Sequence, residues 1–554
     1  MERYLVTAAL PYANGPVHIG HLAGAYLPAD IYVRFLRMTG KEVVFICGSD
    51  EHGVPITLAA EKLGIPPKDY VAQNHKLIKD AFENTGIVFD NFSGTARPVH
   101  YKIATEFFLT LNERGYLEKK SVKQLFCEKC KRFLPDRYVE GTCPKCGKPG
   151  ARGDQCESCG NDLDQVELVS PYCKICGSTP VLRESFHWFL KLSAFAKQLE
   201  EWLGSKKNEW KDNVLNFCAG LLKEGLPDRA ITRDMEWGVP VPLPEGAGKV
   251  IYVWFDAPIG YISSTVEWAV EIKKSPDLWK RYWLDPECRL IHFIGKDNIV
   301  FHSIMWPAML MGMNSYILPS QIPANEFLNL EGRKFSTSRN YAIWVHEFIK
   351  AFSPDSLRYY VSTIAPETRD SDFVLNEFQA ANNSELADIL GNFVNRTITF
   401  VHRYFEGKVQ AIDPGHPALA EVTGKIVQCR KELEAAYSAY QVRKACQLFM
   451  NLCREANKFF NDRAPWKERK ENPAECAATL NACLLLIKAI SVLSEPVIPF
   501  AAGKIRAIFP ASGSITWGNL ETPLQAGGVL STLEILFAKI EDPAIQTWKD
   551  RLQG

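Results

Sequence analysis

The sequence predicts an α/β protein: a doubly wound parallel sheet split by a cysteine-rich insertion and followed by an all-α bundle. Three observations carry that expectation. Two buried-strand patterns flank a helical one at the start of the chain. Four Cys-x-x-Cys pairs then crowd into residues 127–176. From about residue 376 only helical periodicity remains.

Residues 4–10 (Tyr-Leu-Val-Thr-Ala-Ala-Leu) and 42–47 (Glu-Val-Val-Phe-Ile-Cys) are the two strand patterns. Between them, Leu22 to Met38 sets Ile31, Phe35 and Met38 on one helical stripe, and Pro28 inside it predicts a kink or a displaced start. Strand, loop, helix, strand opens a doubly wound domain. After the cysteines, strand signals return at Val250–Phe255 and Leu290–Ile294, the latter followed by an apolar helix over Ile299–Met311. The simplest architecture is one nucleotide-type domain interrupted by the insertion. Near the C-terminus, Val422, Ile426, Cys429, Leu433, Tyr437 and Tyr440 recur at three and four, as do Val442, Ala445, Phe449, Cys453, Ala456 and Phe460. That is the pattern of an antiparallel bundle. The Gly-, Ser- and Thr-rich stretch Gly513–Gly528 reads as a loop.

The 554 residues exceed what one core organises, so three or four domains are expected. The 64 Lys plus Arg equal the 64 Asp plus Glu, which removes the overall basic footprint of a nucleic-acid binder and confines any such surface to a local patch. The first residues do not read as a cleaved leader, and no run of about 18 consecutive apolar residues occurs. A cytoplasmic protein without a membrane span is the expectation. A reducing compartment turns the 16 cysteines toward metal rather than disulfides.

Half of them form the pairs Cys127/Cys130, Cys143/Cys146, Cys156/Cys159 and Cys173/Cys176. Scattered ones in helical, apolar settings, such as Cys446, Cys453 and Cys483, read as core. One pair offers two thiolates on a tight turn, and two pairs complete a tetrahedral site. Two structural Zn²⁺ ions are therefore expected, with no coordination position left for water. Gly147, Gly160 and Gly177 follow the second Cys of three pairs, where the turn asks for a positive φ. Four pairs can be matched in three ways, and spacing does not choose among them. The segment is poor in long apolar runs, so metal supplies much of its folding free energy.

Two further motifs carry chemistry. After the first strand comes Pro11-Tyr12-Ala13-Asn14-Gly15-Pro16-Val17-His18-Ile19-Gly20-His21. It sets two imidazoles at a helix start that favours anions, with Gly20 leaving room for a nucleotide. Far downstream, Gly332-Arg333-Lys334-Phe335-Ser336-Thr337-Ser338-Arg339 gathers cations and hydroxyls in a Gly-led loop suited to a polyphosphate.

With these two motifs the chain resembles the class I aminoacyl-tRNA synthetases, and among them the methionyl-tRNA synthetase family. His18-Ile19-Gly20-His21 reproduces the HIGH signature, and Lys334 to Ser338 matches the KMSKS loop. Ala9 to Gly15, Asp50 to Gly53, Tyr252 to Tyr261, Phe293 to Asp297, Phe301-His302, Trp306 to Met309 and Ala464-Pro465-Trp466 look like segments of the same family. The resemblance implies a Rossmann-like catalytic domain in two halves, residues 1–117 and 236–330, around a connective zinc-knuckle insertion, residues 118–235. A signature loop and linker would follow at 331–375, and an anticodon-binding helical domain at 376–554. The implied activity is methionine–tRNA ligation: L-methionine and ATP give methionyl-adenylate, then methionine passes to the 3′ end of tRNA(Met), initiator or elongator.

Residue by residue, the resemblance implies that His18, His21 and Lys334 are catalytic and that His18, Gly20, His21, Lys334, Ser336 and Thr337 hold ATP, with its Mg²⁺. Ala9, Leu10, Tyr12, Asp50, Trp254, Ala257, Pro258, Tyr261 and His302 would form the methionine pocket, with Asp50 on the substrate ammonium. Aromatic rings there suit a polarizable thioether. The resemblance also favours a nested metal arrangement, with Cys143, Cys146, Cys156 and Cys159 around one ion and the outer pairs around the other.

Asn395 and Trp466 would read the anticodon, Trp466 by stacking. Two positions depart from the family pattern. Thr337 replaces the second Lys of the loop, for which Arg333 or Arg339 would compensate. Thr399 stands where some members carry an Arg, a role left to Arg396 or Arg403. Arg454, Lys458, Arg463, Lys467, Arg469 and Lys470 make a basic cluster around Trp466, readable equally as phosphate contacts or as an ion-paired helical face. Synthetases for other aliphatic amino acids carry a much larger insertion, and a non-catalytic scaffold would not be expected to retain His18, His21, Asp50, Trp254 and Lys334. A monomer is expected, or a dimer if a C-terminal module lies outside this sequence.

Overall fold

The computed structural model describes residues 2–553, apart from 154–155, 157, 160–162, 337–339 and 511–514. In chain order its main strands are β1 (Arg3–Ala8), β2 (Glu42–Ser49), β3 (Asn91–Gly94), β4 (Leu117–Cys127), β5 (Val181–Leu190), β6 (Cys288–Gly295) and β7 (Ala324–Asn325). Five of them form a parallel sheet in the order β7-β6-β1-β2-β3. β1 is buried from Tyr4 to Ala8, as a central strand covered on both faces must be. Its neighbours lie far apart in sequence: Arg3 pairs with Glu42 on one side and with Cys288 on the other. The order reverses between β1 and β6, so a crevice opens beyond their C-terminal ends.

Three local expectations are revised. The first helix does not run uniformly from Leu22 to Met38. An opening turn, Ile19–His21, widens into a π-helical turn, Leu22–Tyr26, before the α-helix Leu27–Met38 begins. Pro28 lacks the N–H that would continue an α-helical ladder back into that turn. Val250–Phe255 is a strand only at Val250–Ile251. The amides of Phe255 and Asp256 both bond to the Tyr252 carbonyl, which turns the chain into the short helix Val253–Asp256. Ile299–Met311 likewise contains a π-helical turn, Phe301–Met305, ahead of the α-helix Trp306–Met313.

The insertion stands on a long antiparallel arm, β4 against β5, paired from Leu117↔Leu190 to Phe126↔Val181. At its end a small sheet of Val139–Thr142, Pro149–Arg152 and Val169–Cys173 packs Leu134, Tyr138, Leu163 and Leu168 around buried cysteines. The C-terminal region is the expected bundle, built on Asn392–Phe405, Pro417–Ser438, Val442–Arg463 and Pro473–Leu493. Its predicted stripe residues are buried, except Tyr440, which is half-buried beyond its helix end. Pro473–Leu493, with a hydropathy of 2.0, is long and apolar enough to cross a membrane, but 94% of that stretch is buried inside the protein. Asn481 and Lys488 interrupt its apolar run, so a search for unbroken runs passes over it. Trp517, in the loop-like tail, packs on Phe35 at 5.8 Å and donates to Glu434 at 2.6 Å.

Bundle and sheet domain are locked by Arg358, whose side chain has no solvent exposure. Its guanidinium bonds Asp30 at 2.6 Å and the carbonyls of Pro496 at 2.8 Å, Val497 at 2.9 Å and Thr85 at 3.2 Å. Asp30 also holds Arg34 at 2.9 Å. Losing one partner of such a buried pair strands the other. Arg358→Met is therefore expected to cost about 3–5 kcal/mol in denaturant titrations. Adding Asp30→Asn to that variant should cost far less than Asp30→Asn alone, because its partner is already gone.

Candidate active site

The two signature motifs meet in the crevice. Val17 and Ile19 pair with the segment after the downstream loop: Ile19 N–H donates to the Ile343 carbonyl at 3.0 Å, and Val345 N–H to the Val17 carbonyl at 3.0 Å. The loop itself is closed by reciprocal bonds between Ser336 and Tyr341, each 2.9 Å. Its base is held by Asp372, which accepts the Gly332 N–H at 2.8 Å. Lys334 is exposed on the strand Arg333–Lys334. Thr337, Ser338 and Arg339 lie outside the described residues.

Phe335 of the loop stacks parallel to His18, with ring centroids 4.5 Å apart and planes 5° apart. His21 covers His18 as well, at 3.7 Å. Gly20 also serves this packing. A Cβ there would stand 3.0 Å from the His18 ring and 3.1 Å from Phe335, so the missing side chain makes room for that stack.

His18 caps the opening helical turn, and the caps are reciprocal. The His21 N–H donates to His18 Nδ1 at 3.3 Å, and the His18 N–H donates to His21 Nδ1 at 3.2 Å. In the neutral rings the proton must then sit on Nε2 of each. Burial lowers His18 to about 2 and His21, which also opens to the crevice, to about 4. The motif thus presents two neutral Nε2–H donors.

All nine residues expected in the methionine pocket line one cavity of about 790 Å³, together with His21 and Trp344. Tyr261 donates to His302 Nε2 at 2.8 Å, and His302 Nδ1–H donates to the Asn298 carbonyl at 3.0 Å. Burial lowers His302 to about 4, so this wall is uncharged. Trp254 is 42% exposed at the cavity and packs on Phe301 at 4.9 Å. Tyr12 reaches the His52 carbonyl at 2.6 Å only because Gly53 has no side chain: a Cβ would meet its oxygen at 2.1 Å. Asp50 is buried, and desolvation, helped by Asp256, pushes its carboxyl well above the ordinary range.

Sequence reasoning missed the network beneath this pocket. Asp256 is fully buried and takes His52 Nδ1 at 2.5 Å on one oxygen and His100 Nε2 on the other. His52 in turn offers its N–H to Asp50 at 3.4 Å and its carbonyl to Tyr12. His52 and Asp256 lie inside segments already singled out, and their charged character in apolar surroundings was a usable signal. His100 had none.

The model of class I tRNA synthetases of the methionine type matches residues 4–398, and that of the anticodon-binding domain of methionyl-tRNA ligase matches residues 414–554. The chain belongs to the methionyl-tRNA ligase family. The methionine–tRNA ligase of Pyrococcus furiosus is 49% identical over 98% of this chain and 76% of its own length. That of Christiangramia forsetii is 46% identical over 100% of this chain and 81% of its own. Among solved structures, Mycobacterium tuberculosis methionyl-tRNA synthetase in complex with methionyl-adenylate superposes with a TM-score of 0.80 at 25% identity, covering 97% of this chain and 100% of that one.

In this member of the methionyl-tRNA ligase family the insertion gathers its knuckle cysteines into two clusters. Cys127, Cys130, Cys173 and Cys176 form one, Cys143, Cys146, Cys156 and Cys159 the other, each with its sulfurs within 4.8 Å of one another. Of the three pairings open from spacing, this is the nested one. Sulfurs bound to a tetrahedral zinc at about 2.3 Å stand roughly 3.8 Å apart. The observed separations are 3.4 Å for Cys127–Cys176, 3.9 Å for Cys130–Cys173, 3.9 Å for Cys143–Cys159 and 3.7 Å for Cys146–Cys156. The donor set and its spacing fit the ion. Gly147 and Gly177 have φ of 71° and 72°, as their turns require, and Lys131 takes 54° at the equivalent place; Gly160 lies outside the described residues.

On the bundle, Trp466 is 45% exposed beside Phe460, and Asn395 is exposed on a neighbouring helix. Arg396 points inward, donating to Asn461 at 2.8 Å and to Asn457. Of the basic cluster, Arg454 pairs with Glu385 and Arg463 with Glu421 and Glu475, so that part is an ion-paired face. The separation of the two thiol clusters makes a direct prediction for metal analysis. Cys143→Ser should remove one metal equivalent per chain and Cys127→Ser the other, each leaving its neighbour filled.

Proposed function

We propose that the chain is a methionine–tRNA ligase that forms methionyl-adenylate and pyrophosphate from L-methionine and ATP, then transfers the methionyl group to the 3′ end of tRNA(Met), initiator and elongator alike. The observation that carries this reading is the single crevice in which both signature motifs meet and all nine pocket residues line one cavity. The methionine carboxylate attacks the α-phosphorus of ATP and pyrophosphate departs in line. His18 and His21 donate from Nε2–H to the α-phosphate oxygens, where charge accumulates, and Lys334 pairs with the leaving pyrophosphate. Gly20, Ser336 and Thr337 would complete the ATP site, with Arg333 and Arg339 supplying the charge that Thr337 lacks. Mg²⁺ entering with ATP adds neutralisation at the phosphates.

Asp50 takes the methionine ammonium, while Ala9, Leu10, Tyr12, Trp254, Ala257, Pro258, Tyr261 and His302 enclose the thioether. The two thiol clusters hold structural Zn²⁺, which asks for a reducing compartment and supports cytoplasmic residence. Asn395 and Trp466 read the anticodon, with Arg403 rather than the inward-turned Arg396 in the role opened by Thr399.

Pyrophosphate exchange tests the reaction: methionine should support it, and isoleucine, valine or leucine should not. Lys334→Ala should lower its kcat by about 100-fold or more, and the pair Arg333→Ala with Arg339→Ala should lower it as well. Asp50 gives a pH signature. Its carboxyl holds a proton too tightly when the pocket is empty, and a bound ammonium favours the carboxylate, so methionine binding releases a proton. Methionine affinity should therefore weaken as the pH falls, and Asp50→Asn should bind weakly with a flat profile.

A further inference from the structure

Trp466 ends a continuous run of aromatic rings whose other end is also exposed. Trp466 lies 6.1 Å from Phe460, Phe460 lies 6.5 Å from Phe400, and Phe400 lies 4.6 Å from Tyr404. Phe460 is buried and Phe400 half-buried, but Tyr404 is 38% exposed at the last turn of Asn392–Phe405. Two guanidinium groups flank its ring: Arg469 stands 4.3 Å from the centroid and Arg403 5.3 Å. Arg469 comes from the short helix that carries Trp466, three residues further on, so the two exposed rings share one surface. Asn395, Thr399 and Arg403 follow at i, i+4 and i+8 on the exposed face of the Tyr404 helix.

The charges here differ from those of the bundle's ion-paired arginines. Arg430, Arg454, Arg463 and Arg506 on the same bundle each pair with a carboxylate. Among the described residues neither Arg403 nor Arg469 has a carboxylate within ion-pair distance. A half-open aromatic ring flanked by two guanidinium groups without acidic partners has the chemistry of a single-stranded nucleic-acid site. A base stacks on the ring, and the cations meet the phosphates on either side. We propose that Tyr404, with Arg403 and Arg469, is a second stacking platform, holding an unpaired base of the tRNA loop that carries the anticodon. The proposal rests on the tRNA-charging reading above and extends it from Asn395, Trp466 and Arg403 to Tyr404 and Arg469.

Aminoacylation kinetics on the full chain with a tRNA(Met) transcript test it, beside pyrophosphate exchange without tRNA as a readout of the catalytic domain. Tyr404→Leu, which keeps bulk without a π face, should raise the KM for tRNA roughly tenfold and leave pyrophosphate exchange unchanged, while Tyr404→Phe should behave as the parent. Arg403→Gln and Arg469→Gln should each weaken tRNA binding and reduce its salt dependence by about one phosphate. Transcripts with an abasic site walked through the anticodon loop should include one on which the parent and Tyr404→Leu perform alike, which identifies the stacked base. An unchanged tRNA KM in Tyr404→Leu, with a raised one in Trp466→Ala, overturns the platform and leaves anticodon reading standing. An unchanged KM in both removes the reading and the platform together. Equal losses of exchange and charging in Tyr404→Leu would mark a structural residue and also overturn the proposal.

Discussion

The guanidinium of Arg358 ties the position of the helical bundle to the helix that begins at the signature histidines. Its anionic partner, Asp30, stands on the helical segment that continues from His18–His21, and its carbonyl partners Pro496 and Val497 follow the bundle's central helix. Thr85, at the end of the helix Pro67–Asn84, supplies a further acceptor. A fully desolvated cation needs every one of these partners in place, because the cost of leaving it unpaired exceeds that of most packing faults. Crevice and bundle are therefore held in one register by a few bonds rather than by a broad apolar seam alone. For an enzyme whose substrate must touch both regions at once, that register decides whether the 3′ end of a docked tRNA arrives at the adenylate.

The histidines of the crevice are uncharged. Burial keeps His18, His21 and His302 neutral, and it pushes the carboxyl of Asp50 well above the ordinary range. On the proposed reading, the neutral imidazoles would offer Nε2–H groups to phosphate oxygens and the Asp50 carboxyl would ionise beside an ammonium. Asp256 differs, and its position between His52 and His100 keeps its charge paired away from the cavity. Its pKa is held low by those two rings against the desolvation that raises Asp50. Two carboxylates of one pocket thus carry opposite tendencies, and the hydrogen bonds each receives account for the difference.

Net neutrality of the whole chain conceals this local arrangement. The cysteine excess divides into two thiol clusters at the end of an antiparallel arm and a set of buried thiols that pack as small hydrophobes in the sheet domain and the bundle. Cationic surface is equally local. Two of the six cations near Trp466, Arg454 and Arg463, are ion-paired, and Arg469 lies instead beside the exposed Tyr404 ring.

The sequence by itself determined the strands at each end of the sheet's first unit, the helical period of the bundle, the two signature motifs and the presence of four cysteine knuckles. These are local or patterned properties, written in spacing and residue type. Tertiary structure alone decided how distant pieces meet: which knuckles share a cluster, that Phe335 stacks on His18, and that His100 joins Asp256 across the pocket. It also turned Val253–Asp256 into a helix despite its strand-like composition, and it aimed Arg396 inward while leaving Arg403 outside. Each of these depends on a partner supplied from elsewhere in the chain. Propensity and periodicity describe a segment's own preferences, whereas a contact between distant segments is chosen by the free energy of the assembled whole.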